Sequence, residues 1–248
     1  MKNQDVYENV NPYENSTLSK KYQVTKIFDA ISDVYDMVNK MLFFGLHSIW
    51  RKKVVKLLID KKPIKILDIA TGTGDLAIDL TKTNARKIVG ADISKEMLKI
   101  ARNKVNRRNL NGIIEIQLGD AEKLNFQDNY FDAITCSFGV RNFDDLSKAL
   151  QEIKRTLKPN GTFVVLETSN PEKFPFKQIH RLYIKNIVPF VGRMFSKDKY
   201  AYRYLSKSLT KFPSGIHFNN ILDKIGFINI DNRPQTFGAT TIYVANKK

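Results

Sequence analysis

The sequence has one cysteine, no long apolar run and few acidic residues for its length. Cys136 is the only cysteine among 248 residues. This excludes an intramolecular disulfide and a cysteine-rich zinc site, and it suits a reducing cytosol. The apolar stretch from Met41 to Leu46 is much too short to span a bilayer. No apolar region typical of a secretory signal follows the polar N-terminus. With only 12 glycines and 8 prolines, a collagen-like or low-complexity chain is excluded as well.

Basic residues are in large excess. The chain carries 41 lysines and arginines against 25 acidic residues, a formal net charge of +16. Such an excess favours a polyanionic partner, either nucleic acid or an anionic membrane surface, whereas lysine-rich coding bias on solvated faces is the alternative. Residues 171–211 hold ten basic and two acidic residues together with eight of the 27 aromatic residues. This concentration favours a local membrane-facing surface over a nucleic-acid groove.

The pattern of apolar residues predicts an α/β fold. Helical spacing between Tyr22 and Ile59 predicts two helices. Short apolar strands then alternate with helices, which is typical of a doubly wound, mostly parallel sheet. The predicted strands are residues 65–70, 87–92, 113–118, 131–137 and 162–167, and the intervening helices begin near 75 and span 94–108 and 145–157. A last helix over 216–225 precedes strands 227–232 and 240–245, which predict an antiparallel hairpin at the edge of a seven-stranded sheet.

A glycine-rich turn follows the first predicted strand. Gly72-Thr73-Gly74-Asp75-Leu76-Ala77 fits the G-x-G-x-x-G/A pattern, in which backbone comes close to a nucleotide-like ligand, although a tight turn without a ligand is the alternative. Asp92 ends the next strand, where a carboxylate accepts hydrogen bonds from ribose hydroxyls. Asp68 and Asp75 add negative charge around the turn. A pyrophosphate is disfavoured there, and a cationic cofactor is favoured.

Three segments resemble the motifs of class I S-adenosylmethionine (SAM) methyltransferases. Leu67–Gly74 resembles their first motif, Gly119–Glu122 their adenine-contacting motif, and Glu152–Gly161 the turn before their fifth strand. The resemblance covers residues 64–170 and implies a Rossmann-like class I fold that binds SAM. The implied cofactor-binding residues are Asp68, Gly72, Thr73 and Gly74 around the first turn, Asp92 at the ribose, Asp120 and Ala121 at the adenine, and Ser137 beside the methionine part.

Two further segments point to the methyl acceptor. Tyr35–Trp50 is similar to the N-terminal signature of the ubiquinone/menaquinone biosynthesis C-methyltransferases (UbiE/MenG type), with Val38 and Phe43 as departures from it. Arg155–Ser169 and Phe138–Asn142 also resemble this family, so the likeness runs nearly end to end. It implies methylation of a polyprenyl quinol ring carbon, with demethylmenaquinol giving menaquinol. The 2-methoxy-6-polyprenyl-benzoquinol step of ubiquinone biosynthesis is a second reaction that the resemblance implies.

This chemistry requires a quinol ring whose hydroxyl loses its proton, so that a ring carbon becomes nucleophilic. No metal is needed, and the three histidines are scattered along the chain. Arg141 follows the fourth strand, where ligands bind in such sheets, and its guanidinium would stabilise the phenolate. Asn142 would orient the hydroxyl or a water. A surface ion pair for Arg141 and a helix cap for Asn142 are the alternatives. Tyr35 and His47 would support proton movement, with helix packing as their alternative.

We expect one methyltransferase domain with four parts. These are an N-terminal helical cap over 1–63, a SAM-binding core over 64–170, a substrate lid facing the membrane over 171–211, and a C-terminal helix with edge strands over 212–248. The expected partners are a polyprenyl quinol and an anionic membrane surface, in the cytoplasm and at the inner face of the membrane. A monomer and a homodimer are both left open.

Two other functions stay open from the sequence. The first is a small-molecule or RNA methyltransferase that uses SAM. Nucleic acid is not expected as a partner, because the D/N-P-P-Y motif of amino-methylating enzymes is absent after the fourth strand, where Ser137–Asn142 stands instead. The second is a SAM-binding protein without turnover, which would leave Arg141-Asn142 and the Tyr35–Trp50 segment unexplained.

Overall fold

The computed structural model describes residues 10–13, 16–195 and 199–248. Helices cover the N-terminal part, the spaces between strands and the segment before the last strand pair. Their bounds are α1 Lys20–Leu42, α2 Leu46–Ile59, α3 Asp75–Asp79, α4 Lys95–Arg107, α5 Leu146–Thr156, α6 Phe176–Leu182, α7 Val188–Phe195, α8 Lys199–Lys211 and α9 Ile216–Ile225. Short 3₁₀ turns follow α3, β4 and β6, and a π turn joins α6 to α7.

Seven strands form one sheet, as the sequence predicts. They are β1 Lys65–Ile69, β2 Lys87–Asp92, β3 Ile114–Leu118, β4 Phe131–Ser137, β5 Leu157–Thr168, β6 Phe227–Gln235 and β7 Thr240–Lys247. Their spatial order is β3-β2-β1-β4-β5-β7-β6. Strands β1 to β5 pair in parallel, and β7 pairs antiparallel with both β5 and β6. The predicted fold class is therefore confirmed. The order reverses between β1 and β4, where ligands bind beyond the carboxyl ends of the strands.

The largest difference from the predicted element bounds lies at the start of β5. We expected a helix to residue 157, a turn over Lys158–Gly161 and a strand from 162, but α5 ends at Thr156 and β5 already begins at Leu157. Leu157 pairs with Phe131 and Thr162 with Ala133, so the four residues between them bulge out of the ladder. Asn160 adopts a left-handed backbone there, at φ +62°. At Gly161 a Cβ atom would lie 2.7 Å from the carbonyl oxygen of Lys158, which explains the glycine.

Helix α1 crosses the carboxyl edge of the sheet and connects the core to the helices of the 171–211 segment. Val24, Ile27 and Val38 of α1 are buried in one cluster with Met97 of α4 and with Val188 and Tyr204 of α7 and α8. Amphipathic spacing explains this placement, because the apolar residues of α1 recur on one face. Helix α1 therefore covers the carboxyl edge of the sheet, where the ligand-binding residues are expected.

Candidate functional site

Three adjoining cavities lie between α1 and the carboxyl edge of the sheet. The edge cavity contains Asp92, Gly119, Asp120, Ala121 and Glu122 along one side. The loop cavity is bounded by the glycine-rich turn, Asp68 and His47. The middle cavity contains Arg141, Asn142 and Tyr204. Tyr35 and Phe138 line all three, so these cavities form one connected site.

The glycine-rich turn gives a ligand close access to the backbone. Gly72 has φ +55°, and a Cβ atom built on it would meet no heavy atom within 4 Å. Gly74 has φ +82°, and a Cβ there would lie 3.0 Å from the Cβ of Ala101 in α4. Gly72 therefore borders open space in the edge and loop cavities, and Gly74 permits close packing of the turn on α4. Thr73 lies between them in the loop cavity.

Asp68 supports the turn from inside β1. Its two carboxylate oxygens accept hydrogen bonds from the Thr71 hydroxyl at 2.6 Å and the Thr135 hydroxyl at 2.7 Å. The side chain is almost fully buried. Burial raises the pKa of Asp68 to about 6, although the two hydroxyl donors lower it in part. Asp68 is therefore a carboxyl group whose charge changes close to neutral pH. It lies beside the glycine-rich turn Gly72–Gly74, which we call the cofactor turn after the role that the sequence predicts for it.

The remaining predicted cofactor residues lie along the edge cavity. Asp92 accepts hydrogen bonds from the backbone N–H of Gly72 at 2.8 Å and of Ser94 at 2.9 Å. Burial raises its pKa. Asp120 and the buried Ala121 stand at the far end, and Ser137 at the end of β4 lies between the edge and loop cavities. The structure thus brings all eight predicted cofactor residues to one edge of the sheet, with Gly74 behind the turn.

The negative charge at the turn is more compensated than the sequence suggested. Asp75 pairs with Lys104 at 2.7 Å and with Arg51 at 3.2 Å. These cations lower the pKa of Asp75, against the opposing effect of burial. Lys104 also pairs with Asp36 of α1 at 2.5 Å, and the Thr73 hydroxyl donates to Asp36 at 2.6 Å. No spacing in the sequence indicates this network, because its members come from α1, α2, α3 and α4.

Polar contacts fasten α1 across the mouth of the edge cavity. Lys21 binds Asp120 at 2.7 Å and Glu122 at 2.8 Å. The Ser94 hydroxyl donates to Asp29 at 2.6 Å. Lys20 is buried, and its Nζ donates to the carbonyl of Phe143 at 2.6 Å. Asp120, predicted from the sequence as an adenine contact, therefore also anchors the first helix.

Arg141 is buried beside the middle cavity and is not a surface residue. Only 5% of its side chain is exposed, and its Nη1 lies 2.5 Å from the Oε1 of Glu167, which is fully buried at the end of β5. The same nitrogen donates to the Phe138 carbonyl at 2.9 Å. The expected alternative of a surface ion pair is therefore wrong about the surface, because the pair that Arg141 forms is buried. Glu167 was missed as a site residue, although an acid inside a buried strand is itself a signal.

Asn142 and Tyr35 face the middle cavity together. The Tyr204 hydroxyl donates to the Oδ1 of Asn142 at 3.1 Å, and α5 begins instead at the cap Asp145, so Asn142 is not a helix cap. Partial burial raises the pKa of Tyr35, while nearby Arg141 and a hydrogen bond with Asn39 lower it in part. Tyr35 therefore stays protonated at neutral pH, with a hydroxyl that is able to donate a hydrogen bond.

His47 lies apart from Arg141. It lines the loop cavity with Asp68 and Thr73, whereas Arg141 lines the middle cavity. Partial burial and the neighbouring Arg51 lower the pKa of His47, so the imidazole is neutral at pH 7. Its Nδ1 has no hydrogen-bond partner among the described residues. The structure thus places His47 at the turn and not beside the residues predicted to act on the acceptor.

Three aromatic side chains separate these cavities from a fourth one. Phe43 stacks on Phe138 with ring centroids 5.5 Å apart, and Trp50 packs edge-on against Phe43 at 5.8 Å. The Nε1 of the buried Trp50 donates to the Thr236 hydroxyl at 3.0 Å. We call Phe43, Trp50 and Phe138 the aromatic wall. Beyond it lies the apolar cavity, bounded by the α1–α2 turn, α6, α8 and the turn between β6 and β7.

The shape and donor set of the site fit SAM. Open space beside Gly72 accommodates a ligand next to the backbone, carboxylates at Asp68 and Asp92 suit a cation and ribose hydroxyls, and Ala121 presents a small apolar surface. Within the described part of the chain, no group of three or more histidine, cysteine, aspartate or glutamate side chains is arranged to hold a metal ion.

Comparisons with known proteins agree with this assignment. The curated demethylmenaquinone methyltransferase of Bacteroides fragilis is 40% identical over 241 residues, covering 97% of this chain and 98% of its own. That of Chlorobaculum tepidum is 40% identical and covers 90% and 92%. A ubiquinone/menaquinone biosynthesis C-methyltransferase of Geobacter sulfurreducens is 37% identical and covers 92% and 90%.

Solved structures agree at the level of the fold. A putative SAM-dependent methyltransferase of Methanococcus maripaludis matches with a TM-score of 0.60 and 23% identity, over 95% of this chain and 97% of its own. A SAM-dependent methyltransferase of Thermotoga maritima, a possible histamine N-methyltransferase, matches with a TM-score of 0.61 and 20% identity, over 90% of this chain and 99% of its own.

The predictions of a class I methyltransferase fold, a methyltransferase enzyme and SAM as its cofactor are confirmed. The model of the ubiE/COQ5 methyltransferase family matches residues 16–247, and the chain therefore belongs to that family.

Proposed function

We propose that the protein transfers the methyl group of SAM to a ring carbon of a polyprenyl quinol, with demethylmenaquinol as the acceptor. The names of the relatives from Bacteroides and Chlorobaculum support this substrate. The observation that carries the proposal is the middle cavity, where Arg141 and Asn142 line an enclosed space that adjoins the cofactor turn through Tyr35 and Phe138. A small-molecule or RNA acceptor has no comparable support.

The reaction needs a phenolate beside an electrophilic methyl group, and bound SAM supplies that methyl on a sulfonium. The quinol hydroxyl gives up a proton to water, and the ring carbon forms the new C–C bond as the methyl–sulfur bond of SAM breaks and S-adenosylhomocysteine leaves. The methylated ring carbon then releases its proton to water, which restores aromaticity. The guanidinium of Arg141 donates to the phenolate oxygen and stabilises its charge. Glu167 fixes the orientation of Arg141, because the pair is buried and its Nη1–Oε1 distance is 2.5 Å.

Asn142 and Tyr35 position the quinol and the water that accepts its proton. The Oδ1 of Asn142 accepts a hydrogen bond from Tyr204, and its Nδ2 donates one to the Phe138 carbonyl at 3.4 Å. The second N–H of this Nδ2 would orient a quinol hydroxyl or a water. Tyr35 stays protonated and donates a further hydrogen bond at the junction of the three cavities. Holding the ring carbon in line with the methyl group is the main contribution that such a site makes to the rate.

The cofactor roles are part of the same proposal. The carboxylate of Asp92 holds the ribose hydroxyls, and Asp120 with Ala121 contacts the adenine. Asp68, Gly72, Thr73, Gly74 and Ser137 surround the methionine end. His47 also lines the loop cavity, at the same methionine end of the site. The resemblance to class I methyltransferases implies the roles of the eight cofactor residues, and all of these except Gly74 line the edge or the loop cavity, which supports them.

An acceptor panel tests the proposed function. The protein is incubated with tritium-labelled methyl SAM and, separately, with demethylmenaquinol, the benzoquinol analogue, tRNA and rRNA. We expect label in extracted demethylmenaquinol. Label in RNA, or SAM binding without transfer to any acceptor, would contradict the proposal, and the second result would favour a SAM-binding protein without turnover. The proportion of label in the two quinols decides which ring is preferred.

We also propose that the 171–211 segment contacts an anionic membrane surface from the cytoplasmic side. The exposed apolar side chains Phe174, Ile179, Leu182, Ile187 and Phe190 lie on α6, α7 and their flanks. Interleaved with them are the exposed basic residues Lys173, Lys177, Arg181 and Lys185. Each basic residue near an anionic leaflet contributes about 1 kcal/mol. The predicted contributions of Arg193, Phe195, Lys197, Lys199, Tyr200 and Tyr202 lie outside the described side chains.

The aromatic residues of this segment divide between surface and interior. Phe174 and Phe190 are mostly exposed, whereas Tyr204 is buried and Tyr183 donates a hydrogen bond to the Leu42 carbonyl. Some rings of this segment thus pack inward, as a lid requires, and we propose the lid and the membrane surface together. No helix among the described residues has the length and hydropathy to cross a bilayer. We propose that the described residues of the 171–211 segment contact the membrane at its surface only.

Liposome co-sedimentation tests the membrane proposal. We expect stronger binding to anionic than to neutral vesicles, and weaker binding for a variant with Lys173, Lys177 and Lys185 changed to Gln. A matched control changes Lys52, Lys56 and Lys61, which lie on and just after α2, to Gln. Equal binding of all proteins to both kinds of vesicle would contradict the proposal. A homodimer stays a prediction, which sedimentation velocity tests.

A further inference from the structure

The apolar cavity beyond the aromatic wall is the largest of the four described here. Its volume is about 270 Å³, against about 40 Å³ for the middle cavity. Its lining is almost entirely aliphatic and aromatic, with His180 and three threonines as the polar members. Burial lowers the pKa of His180, so this side chain is neutral at pH 7 and the cavity carries no charge. A space of this kind suits an uncharged hydrocarbon ligand.

The apolar cavity adjoins the middle cavity. Phe43 and Leu205 line both, so the two spaces share a wall made of these two side chains. The middle cavity is too small to hold more than a ring system, and a long substituent on that ring must leave it. A substituent that leaves the ring on the apolar side, away from Arg141, would pass between the cavities at Phe43 and Leu205 once these two side chains turn aside.

The mouth of the apolar cavity opens beside exposed apolar side chains. Phe44, Ile179 and Phe237 line it and are 79%, 59% and 70% exposed. Ile179 belongs to α6, which also carries the exposed basic residues of the proposed membrane surface. A hydrocarbon chain that leaves the cavity here would emerge at that surface.

We propose that the apolar cavity binds the first isoprene units of the acceptor's tail, while the ring occupies the middle cavity and the rest of the tail continues through the mouth at Phe44, Ile179 and Phe237. This inference rests on the proposed function. It adds a second binding site, for an isoprenoid chain, which contributes to affinity independently of Arg141 and Asn142.

The test compares acceptors with and without a tail in the absence of membranes. The substrates are 1,4-naphthoquinol and its geranyl-substituted form, both in detergent-free buffer with saturating SAM. Two variants address the cavity: Ala239→Leu narrows it, and Ile179→Asp places a charge at its exposed mouth. Ile216→Asp is the matched control, because Ile216 is an equally exposed isoleucine on α9 outside the lining.

We expect the unmodified protein to prefer the geranyl substrate in kcat/KM. Ala239→Leu should lower kcat/KM for the geranyl substrate about tenfold, the effect of losing burial for about two methylene groups. Ile179→Asp should lower it about fivefold or more, because an unpaired carboxylate at the mouth disfavours apolar contact. Neither variant should change kcat/KM for the tail-less substrate more than about twofold, and Ile216→Asp should change neither value.

Several results would overturn the inference. Equal kcat/KM for the two substrates in the unmodified protein would show that no tail site exists, while methylation itself would still support the proposed function. Parallel losses on both substrates would show a structural effect. A dimer that Ile179→Asp dissociates, with the tail preference unchanged, would assign the cavity to a second copy of the chain. Methylation of neither quinol would overturn the proposed function together with this inference.

Discussion

The two sides of the aromatic wall are built from different interactions. On the sheet side, ion pairs and short hydrogen bonds join α1 to the cofactor turn and the edge cavity, as between Lys21 and Asp120 or Lys104 and Asp36. On the far side, the apolar cavity is bounded by side chains such as Phe44, Leu209 and Phe237. One side therefore suits a charged, water-soluble cofactor and the other a lipid.

The contrast explains where the net charge of the chain is found. On the sheet side, carboxylates such as Asp36, Asp75 and Asp120 pair with cations, so this side adds little to the total. The 171–211 segment holds ten basic residues against two acidic ones. Because opposite charges pair around the cofactor turn and basic residues accumulate beside the apolar cavity, the excess marks the face expected to meet the membrane. The following predictions test this division.

The largest effect is expected at the buried ion pair of Arg141 and Glu167 beside the middle cavity. Arg141→Met should lower kcat for quinol methylation about 10²–10³-fold, the loss typical of one donor to a developing oxyanion. The SAM dissociation constant should change little, because Arg141 lines the middle cavity and not the edge or loop cavity. Stopped-time methylation assays and isothermal titration calorimetry measure the two quantities.

A double variant separates catalysis from folding. Arg141→Met alone leaves Glu167 buried without its cation, which should lower the free energy of unfolding by about 3–5 kcal/mol. Adding Glu167→Gln should recover much of this loss without recovering kcat. Recovery of kcat together with stability would show that Arg141 acts only through packing, and unchanged turnover in Arg141→Met would refute its assignment.

The next effect concerns the cofactor side alone. Asp92→Ala should weaken SAM binding about 10²-fold, because it removes charge-assisted hydrogen bonds to the ribose and frees the N–H groups of Gly72 and Ser94. Calorimetric titration measures the change. Asp231→Ala, at an exposed carboxylate paired with Arg233, is the control that should leave SAM affinity intact. Similar affinities for both variants would exclude Asp92 from the cofactor site.

The smallest effect is a pH dependence that is specific to the cofactor side. The pKa of Asp68 is about 6 in the folded protein, above its ordinary value of 3.8. Binding of a cation favours the ionised carboxylate, so SAM affinity should rise about tenfold between pH 5 and pH 7. The rise should be smaller for S-adenosylhomocysteine, which lacks the sulfonium charge. An equal rise in Asp68→Asn would show that another group titrates.

The same pKa shift has a consequence for stability. Because the folded pKa of Asp68 lies above the unfolded one, the stability that this group contributes is fully present below about pH 4. That contribution is lost as the pH rises through about 6. In urea titrations, the difference in the free energy of unfolding between the unmodified protein and Asp68→Asn should therefore change between about pH 4 and about pH 6.

The sequence predicted the sheet well because its signals are local. Strand β4 and helix α9 agree in both bounds, and Asp92 and Ser137 lie where parallel strands end at one edge. The boundary at Leu157 was missed because pairing with Phe131, a contact distant in the chain, extends the strand before the bulge. Local propensity carries no information on such a partner.

The site was predicted less completely than the sheet. Motifs identified Arg141 and Asn142, but not the buried partner Glu167 or the contact of Asp36 with Thr73, since these pairs join residues 26 and 37 positions apart. The aromatic wall was missed for the same reason: Phe43 departs from the family signature, and its stacking on Phe138 is visible only in the folded chain.

The position of the transferred methyl group tests the central claim most directly. A single turnover with SAM labelled by ¹³C in its methyl group, followed by carbon NMR of the extracted geranyl naphthoquinol, shows which atom has been methylated. If the ring lies in the middle cavity, with Arg141 at the phenolate oxygen and the ring carbon toward the cofactor turn, the label will appear on a ring carbon. A label on the quinol oxygen would contradict this account.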